Sequence, residues 1–465
     1  MVWKDPERSM ITTTNPATGE TIAEYEELDQ AAIDRKLSRA DGAYRDWRTS
    51  PIARRSDVLA KMGDLYDSRK DELARLAVTE MGKPIAQARA EVEKCARLLH
   101  HFAEAGPAML EPETWQLSDG GRAEGRWLPQ GPVLAVMPWN FPYWQVIRFL
   151  APTILAGNAG LLKHASIVQG VAAKLEELAL EAGAPEGVFQ NLAISSDPVA
   201  DIIADDRVIA ATLTGSEGAG SAVAEQAGKN IKKVVLELGG SDPFIVMPSA
   251  DLDRAVEDAV DARIQNNGQS CICGKRTIVH ADIYDDFSER FIAALKDIEP
   301  GDPMSEDTRL GPLSSEGQRD TVLDQVAKAQ EEGATLLFGG KKIDRPGAWM
   351  SAGLLTDVEI GSETGTDEIF GPVGQLYRAE DIDHAIRIAN AIPYGLGSAA
   401  WTNDADERER FANEIEAGMT TFNAVNGSKI EAPFGGIKRS GHGRELSRFG
   451  LHEFMNLKTI VYPEG

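Results

Sequence analysis

Three polar side chains, each in a separate segment, have the chemistry of a nucleophile, a base and an amide donor. Cys271 follows a glycine-containing turn in Asn267–Cys273, where a thiolate, the strongest side-chain nucleophile near neutral pH, can be exposed and held rigidly. Glu237 ends an apolar run, and burial there raises a carboxyl pKa, as a base acting on water requires. Asn140 lies between two prolines, and a fixed amide can donate to a developing oxyanion. Taken singly, the segments favour plainer interpretations: a buried cysteine, a solvent-facing glutamate and a turn asparagine.

Two further segments suit a nucleotide. Glu368 and Phe370 stand two residues apart, so in an extended segment both can face one ligand, the carboxylate at ribose hydroxyls and the ring against a planar base. Thr214–Gly220 joins a strand to a helix, and its small residues let a pyrophosphate approach the helix N-terminus. Its glycines follow G-x-x-G-x-G rather than the dinucleotide-binding G-x-G-x-x-G, so this loop alone is weak support.

The elements that must position these residues are mostly helical in the first third and alternate between strands and helices from about residue 131. Alternation with strands this apolar predicts an α/β fold, with parallel sheets covered on both faces, in two lobes. A hairpin is predicted within 115–130, and 457–462 is a lone strand that needs a partner, for which a sheet between subunits is one solution. Strands are predicted at 133–137, 159–163, 208–213, 234–238, 244–247, 277–280, 335–338, 374–377 and 399–401, and helices at 167–182, 218–227, 252–265, 284–295, 316–332 and 382–391.

Composition excludes several functional classes. The 465 residues carry a formal net charge of −25 without a basic patch, which argues against nucleic acid and anionic membranes as partners. The excess acid suits an ordinary acidic enzyme and a protein of salty cytoplasm about equally. Met1–Arg8 is too polar for a signal peptide, and no apolar run is long enough to span a bilayer, so a cytoplasmic protein is expected. Three cysteines exclude a disulfide scaffold, and no Cys/His spacing predicts a metal site.

Together, the five segments resemble the aldehyde dehydrogenase superfamily. The resemblance runs from Asn15–Glu20 (Asn-Pro-Ala-Thr-Gly-Glu) to Pro433–Gly436 (Pro-Phe-Gly-Gly), with Asn140, Glu237 and Cys271 in matching order. It implies a Rossmann-type cofactor domain plus an α/β catalytic domain and a small β oligomerisation element. The implied bounds are 1–113 and 132–238 for the NAD(P)-binding domain, 239–443 for the catalytic domain, and 114–131 and 444–465 for the oligomerisation element of a homodimer or homotetramer.

The resemblance also implies a role for each site residue. Cys271 would be the nucleophile, Asn140 and the Cys271 backbone N–H would form an oxyanion hole, and Glu237 would activate the water that releases the acid. The cofactor-binding residues implied are Trp139, Lys163, Ser166, Gly215, Ser216, Glu368 and Phe370. A Ser166 that adds no negative charge permits a 2′-phosphate beside Lys163, so NADP is favoured over NAD.

The aldehyde is predicted from Arg148, which in this family lies in the substrate tunnel, where many members have an apolar or aromatic residue. A cation there suits a distal carboxylate, and the surrounding segments resemble short bacterial succinate-semialdehyde dehydrogenases. A subgroup with this activity has an arginine six residues before the cysteine, where this chain has Gln265. Ser428 or Lys429 is therefore predicted to supply the second contact to the carboxylate, although an ion-paired Arg148 is the plainer alternative.

Three alternatives stay open on sequence. Cys273 is a candidate redox partner for Cys271 through a strained disulfide, or it merely packs behind the nucleophile. The substrate is otherwise a broad range of aliphatic aldehydes or a glutarate-type semialdehyde. In a different class, Cys271 and Glu237 would serve a cofactor-free thiol hydrolase, whereas no histidine is placed to make a papain-like protease.

Overall fold

The computed structural model describes residues 9–464, so the polar segment Met1–Arg8 lies outside the described residues. Its strands are β1 (Met10–Thr14), β2 (Thr21–Glu26), β3 (Glu113–Gln116), β4 (Arg122–Pro129), β5 (Pro132–Met137), β6 (Ala159–His164), β7 (Phe189–Asn191), β8 (Ala210–Gly215), β9 (Lys233–Leu238), β10 (Pro243–Val246), β11 (Arg276–His280), β12 (Thr335–Gly339), β13 (Gly353–Thr356), β14 (Val373–Ala379), β15 (Tyr394–Gly395), β16 (Ser398–Trp401), β17 (Thr420–Phe422), β18 (Ile437–Lys438), β19 (Gly441–His442) and β20 (Met455–Tyr462).

The helices account for most of the remaining regular structure. They are α1 (Gln30–Trp47), α2 (Ile52–Ser68), α3 (Lys70–Met81), α4 (Ile85–Ala105), α5 (Trp144–Ala156), α6 (Gln169–Glu181), α7 (Val199–Ala204), α8 (Glu217–Lys229), α9 (Leu252–Ile264), α10 (Tyr284–Lys296), α11 (Glu316–Glu331), α12 (Glu363–Thr366), α13 (Ile382–Asn390), α14 (Ala405–Glu414) and α15 (Ser447–His452). Short 3₁₀ turns lie at Gly106–Leu110, Ser166–Val168, Gln265–Gly268 and Ala281–Ile283.

A six-stranded sheet has the order β19-β9-β8-β5-β6-β7 and is parallel except for the two-residue edge strand β19. Its central strands are apolar and buried, as strands covered by helices on both faces must be. Asn140 follows β5, Lys163 lies near the end of β6, Ser216 follows β8, and Glu237 lies near the end of β9. Parallel strands bring their carboxyl ends to one edge, so this sheet gathers the predicted site residues.

A seven-stranded sheet has the order β12-β13-β14-β11-β10-β16-β17 and is parallel except for the antiparallel edge strand β12. The segment that carries Cys271 lies directly before β11, and the segment that carries Glu368 and Phe370 lies before β14, its neighbour. Adjacent strands therefore bring these two loops side by side. The two parallel sheets confirm the α/β fold with Rossmann-type topology.

The last strand is not alone in its own chain. β20 pairs antiparallel with β4 along its whole length, from Met455 opposite Pro129 to Tyr462 opposite Arg122, and β3 pairs with the other edge of β4. The predicted hairpin at 115–130 is thus confirmed, and the partner of 457–462 is that hairpin. Trp115 and Val461 are exposed on this three-stranded sheet.

Several elements were not predicted from sequence, among them the hairpin β1–β2, helix α5 and short elements such as β7, β13, α7 and α14. The hairpin β1–β2 lies in a region where only helices were expected. Helix α5 is buried at all 13 of its residues, so it shows no contrast between an apolar and a polar face, the signal by which surface helices are recognised. Helix α2 begins at Ile52, directly after Ser50-Pro51, and the Ser50 hydroxyl donates to the Trp47 carbonyl rather than to the start of the helix.

Helices in the described part of the chain are all too short or too polar to cross a membrane. Residues 9–464 also contain no group of three or more His, Cys, Asp or Glu side chains placed to hold a metal ion.

Candidate active site

The loop that carries Cys271 is held in an unusual backbone conformation. Asn266, Asn267 and Gly268 have φ values of 53°, 60° and 74°, so three consecutive residues are left-handed. Gly268 is required, because a Cβ there would lie 2.3 Å from the Gly371 carbonyl. The Arg263 guanidinium donates to both carbonyls, Gly268 O and Gly371 O, at 2.8 Å each. The loop of the thiol is thus fastened to the loop of the predicted ribose-binding residues.

The Asn140 amide lies against the same loop. Its Nδ2 donates to the Gln269 carbonyl at 3.0 Å, and its Oδ1 accepts from Gln145 Nε2 at 2.9 Å. The Asn140 carbonyl in turn accepts from Asn266 Nδ2 at 2.7 Å. The amide orientation is therefore set from both ends, and its second N–H can serve an oxyanion near Cys271.

The Glu237 side chain is buried, with 2% of its surface exposed. Neither of its carboxyl oxygens has a hydrogen-bond partner among the described residues. Burial raises the pKa of Glu237, the nearby Glu445 raises it further, and Arg148 and Arg444 partly oppose these effects. A buried, unpartnered carboxyl of raised pKa is what a general base for water requires, because its ionised form is strongly basic.

A cavity of about 290 Å³, here called the carboxylate cavity, brings most of the predicted site together. Its walls hold the thiol of Cys271, the carboxyls of Glu237 and Glu368, and the amide of Asn140. Trp139 and Phe370 meet edge to face at its side, with ring centroids 5.7 Å apart. The lining residues are Pro138, Trp139, Asn140, Gln145, Thr214, Gly215, Ser216, Glu237, Leu238, Gly239, Cys271, Gln318, Thr321, Gln325, Glu368 and Phe370.

The thiol of Cys271 is protonated in this environment. Burial raises its pKa to about 12, and the positive charges of Lys275 and Arg148 only partly offset that rise. Lys275 Nζ donates to the carbonyls of Ser270 and Cys271 at 2.8 and 2.7 Å and forms an ion pair with Glu368 at 2.8 Å. Thiolate formation therefore needs a base, and Glu237 lines the same cavity.

A second cavity, of about 560 Å³, is here called the lysine cavity. It shares a wall with the carboxylate cavity, because Asn140 and Gln145 line one while Phe141 and Trp144 line the other. Its lining residues are Ala86, Gln87, Ala90, Glu91, Lys94, Phe141, Trp144, Asp261, Ile264, Gln265, Glu306, Asp307, Thr308, Arg309 and Val425. The two cavities therefore adjoin at the segment that carries the amide.

Comparison with known proteins identifies the family of this site. The family model described as "Aldehyde dehydrogenase family" matches residues 3–460. The chain belongs to the aldehyde dehydrogenase family. A relative from Mycobacterium tuberculosis named succinate-semialdehyde dehydrogenase [NADP(+)] 1 is 49% identical over 452 residues, covering 97% of this chain and 99% of that protein. One from Mycobacterium avium, named succinate-semialdehyde dehydrogenase [NADP(+)], is 49% identical over 453 residues, covering 97% and 96%.

A solved structure agrees in fold with this aldehyde dehydrogenase. The succinic semialdehyde dehydrogenase from Streptococcus pyogenes, solved in complex with NADP+ as the cofactor, superposes with a TM-score of 0.95 at 38% sequence identity. The match covers 98% of this chain and all of that chain. The fold predicted from the sequence is thereby confirmed.

Two predicted cofactor residues lie outside the carboxylate cavity. Lys163 lies on β6 beside β5, half-buried, and Ser166 begins the following 3₁₀ turn with its side chain exposed. Burial lowers the pKa of Lys163, while the charge of Glu27 raises it. In the described structure the Lys163 ammonium has no carboxylate within ion-pair distance, so its charge is available to an anion.

The residues at this sheet edge fit a dinucleotide. Ser216 caps helix α8, and the helix N-terminus at the cavity edge provides backbone N–H groups for a phosphate. Gly239 lets the Glu368 carboxylate lie close to the backbone, because a Cβ at this position would be 2.2 Å from Glu368 Oε2. Lys163, near the end of β6, and Ser216, directly after β8, thus lie at one edge of the six-stranded sheet and offer groups that suit phosphates.

The predicted carboxylate-binding Arg148 is not at the wall of either cavity. Its guanidinium is 3% exposed, forms a close ion pair with Glu445 and lies 4.5 Å from the centre of the Phe434 ring. The structure thus gives this arginine a partner inside the protein, the alternative considered from sequence. Ser428 is buried and accepts a hydrogen bond from Lys94 Nζ at 2.7 Å. The positive charge of Lys429 lowers the pKa of Lys94.

The second cysteine of the C-x-C pair is fully buried. Cys273 Sγ lies 3.6 Å from the Gln265 carbonyl, and all three cysteines are free thiols. Packing behind the nucleophile agrees with this position. A disulfide with Cys271 stays a prediction, which a mass loss of two hydrogens after peroxide treatment would test.

Sequence reasoning missed several residues that hold the site. Gln318 and Gln325 of α11 donate to the carbonyls of Phe370 and Glu368 at 2.9 and 3.0 Å, so they fix the extended segment. Their spacing with Thr321 places all three on one helix face, a signal visible in the sequence. Lys275 and Glu445 carried no such signal, because their partners are 93 and 297 residues away in the chain.

Proposed function

We propose that this chain oxidises succinate semialdehyde to succinate with NADP+, through a thioester on Cys271. The arrangement of Cys271, Glu237, Asn140 and Glu368 around one cavity supports the proposal most directly. The names of the relatives that are 49% identical over nearly the whole chain support this substrate and cofactor.

The first step is addition of the thiol to the aldehyde. Glu237, as the carboxylate, takes the proton from Cys271, and the sulfur forms a bond to the carbonyl carbon. The carbonyl electron pair moves to oxygen, where the second N–H of Asn140 and the Cys271 backbone N–H stabilise the oxyanion. In related chemistry one such donor lowers the activation barrier by about 2.7–4 kcal/mol.

The second step removes hydride and leaves a thioester. NADP+, when bound, supplies the acceptor for that hydride. Glu368 would orient the nicotinamide ribose while its ion pair with Lys275 keeps the carboxylate in place. Glu237 first releases to solvent the proton that it took from Cys271. As the carboxylate it then takes a proton from water, the hydroxide adds to the thioester carbon, and the carbon–sulfur bond breaks. The products are the acid and the thiolate, which regains a proton.

The cofactor preference follows from the charges at β6. Lys163 would bind the 2′-phosphate, and the neutral Ser166 beside it adds a hydroxyl donor without repulsion. Ser216 and the N-terminus of α8 would hold the pyrophosphate. We therefore propose NADP+ as the preferred cofactor, with NAD+ as a poorer one.

A panel of aldehydes assayed with both cofactors tests this function. We expect the highest kcat/KM for succinate semialdehyde with NADP+, measured by absorbance of the reduced cofactor. Equal or higher kcat/KM for glutarate semialdehyde or hexanal would replace the proposed substrate by one of those alternatives. Acid release without formation of reduced cofactor would instead indicate a thiol hydrolase.

We also propose a cytoplasmic homodimer or homotetramer that assembles through the sheet β20-β4-β3, with the domain bounds inferred from the sequence. Exposed apolar side chains on that sheet, Trp115, Leu457, Val461 and Tyr462, support an interface there. Light scattering of the purified protein and of Val461→Lys tests the assembly. A monomeric parent protein, or an unchanged mass for the variant, would contradict it.

A further inference from the structure

Lys94 is a half-buried cation without an ionic partner. It lies on α4 at the wall of the lysine cavity, where its Nζ donates to Ser428 Oγ at 2.7 Å and lies 4.2 Å from the centre of the Trp144 ring. None of the carboxylates in residues 9–464 lies within ion-pair distance of this ammonium. Desolvating a charge without pairing it is costly, so a group placed in this way commonly serves a ligand.

The acidic residues of the same cavity are not available to Lys94. Glu91 pairs closely with Lys83 and accepts from the backbone N–H groups of Tyr143 and Trp144 at 2.9 Å. Two other acids at the wall are also paired, as Asp261–Arg309 at 2.7 Å and Glu306–Arg89 at 2.6 Å, and Asp307 is exposed.

Three positive charges lie close enough to Lys94 to change its pKa. Arg148 of α5, Lys429 of the segment between β17 and β18, and Arg97 of its own helix all lower its pKa, while Cys95 raises it. Together with burial, the largest cause, they bring the pKa of Lys94 to about 8. Arg148 is already neutralised by Glu445. An anion at the Lys94 ammonium would therefore relieve repulsion as well as replace lost hydration.

We propose that Lys94, together with the hydroxyl of Ser428, binds the distal carboxylate of the aldehyde substrate. The proposal deepens the proposed function and rests on it. Phe141 and Trp144 line the same cavity next to the segment of Asn140, so the apolar carbons of a short acid would lie along their rings. The sequence predicted that Arg148 of α5 binds this carboxylate, and we assign the contact to Lys94 of α4 instead.

Lys94→Met tests the proposal, because methionine keeps the length of the side chain and removes its charge. For succinate semialdehyde we expect KM to rise about 10- to 100-fold, the range for a lost charged hydrogen bond, with kcat nearly unchanged. For butanal, which has the same carbon count and no carboxylate, KM should stay the same or fall. Lys94→Arg should restore much of the lost affinity, and Lys61→Met, on the exposed face of α2, is the matched control.

The pH dependence gives a second measurement. Below about pH 8 Lys94 is protonated and binds the carboxylate, and above it the charge is lost. The KM for succinate semialdehyde should therefore rise above pH 8 in the parent enzyme, but not in Lys94→Arg. The KM for butanal should not follow that curve in either protein.

Product binding separates a binding role from a structural one. Titration of succinate into Cys271→Ala should show a dissociation constant that rises by the same factor when Lys94→Met is added. A parent enzyme that does not prefer succinate semialdehyde to butanal would overturn the proposed function. A parent that has this preference, with Lys94→Met keeping it or losing activity equally on both aldehydes, would overturn the role of Lys94 alone.

Discussion

The carboxylate cavity and the lysine cavity share a wall, yet each holds an unpaired ionisable group of the opposite kind. In the first, Glu237 is fully buried and its carboxyl has no hydrogen-bond partner. In the second, Lys94 is half-buried and has one hydroxyl as its polar partner. The difference lies in what each group must do. Glu237 must gain and lose a proton during turnover, so a raised pKa serves it, whereas Lys94 must keep its charge, so other cations limit the pH range in which it works.

The ion pair of Arg148 and Glu445 lies within electrostatic reach of both cavities. Glu445 raises the pKa of Glu237, and Arg148 lowers the pKa of both Glu237 and Lys94. The pair therefore couples the chemistry of one cavity to the charge of the other. The following predictions test each side of that comparison.

Removal of the nucleophile should have the largest effect. Cys271→Ala leaves no thiol in the carboxylate cavity, so formation of NADPH from succinate semialdehyde should fall by at least about 10⁴-fold. Cys95→Ala, at a buried thiol in the core around α4, is the matched control and should keep its activity. Reduced cofactor produced at near-normal rate by Cys271→Ala would disprove the thioester mechanism.

Glu237→Gln should separate hydride transfer from acid release. Glutamine cannot take the proton of water, so steady-state turnover should fall about 10²- to 10⁴-fold, the usual range for a lost general base. At alkaline pH, where the Cys271 thiol ionises without Glu237, a burst of reduced cofactor should remain in stopped-flow absorbance, because hydride leaves before water acts. The exposed Glu225→Gln on α8 is the control. Loss of the burst at alkaline pH as well would contradict a role of Glu237 in acid release after hydride transfer.

Breaking the ion pair of Arg148 and Glu445 should destabilise the fold. Glu445→Gln leaves Arg148 buried without an opposite charge, so the free energy of unfolding should fall by about 3–5 kcal/mol in urea titration. Arg148→Met combined with Glu445→Gln should recover much of that loss, because no unpaired charge then remains. If the double variant were less stable than the single one, the pairing would not be the cause.

Reactivity of the thiol should increase steeply with pH. Because burial raises the pKa of Cys271 to about 12, the thiolate fraction rises about tenfold per pH unit between pH 7 and 10. Inactivation by iodoacetamide, without cofactor, should follow that slope, with Cys273→Ala used to assign the alkylated sulfur. A plateau near pH 8.5 would show that the free thiol is not buried in this way.

A negative charge at the end of β6 should change the cofactor preference. Ser166→Glu places a carboxylate beside Lys163, so kcat/KM for NADP+ should fall about tenfold through repulsion of the 2′-phosphate. The value for NAD+ should change little, and Ser68→Glu at the end of α2 is the control. An equal fall for both cofactors would place the 2′-phosphate elsewhere.

Much of the fold could be predicted from the sequence, because apolar strands and amphipathic helices carry their period in the residues themselves. Helix α5 could not, since all its faces are buried and no period remains. In the site, Cys271, Glu237 and Asn140 could be named from their segments and from the family resemblance. The pairing of Arg148 with Glu445 and that of Lys94 with Ser428 could not be predicted. The residues of each pair are nearly 300 or more positions apart in the sequence and meet only in the folded chain.

The contact between Gly268 and Gly371 has a mechanical consequence. Two backbones touch there without a side chain between them, and one guanidinium bridges both carbonyls. The sulfur and the carboxylate of Glu368 therefore lie on two loops that are joined by direct backbone contact and by hydrogen bonds to one side chain. A displacement of the Glu368 loop would accordingly move the Cys271 loop with it.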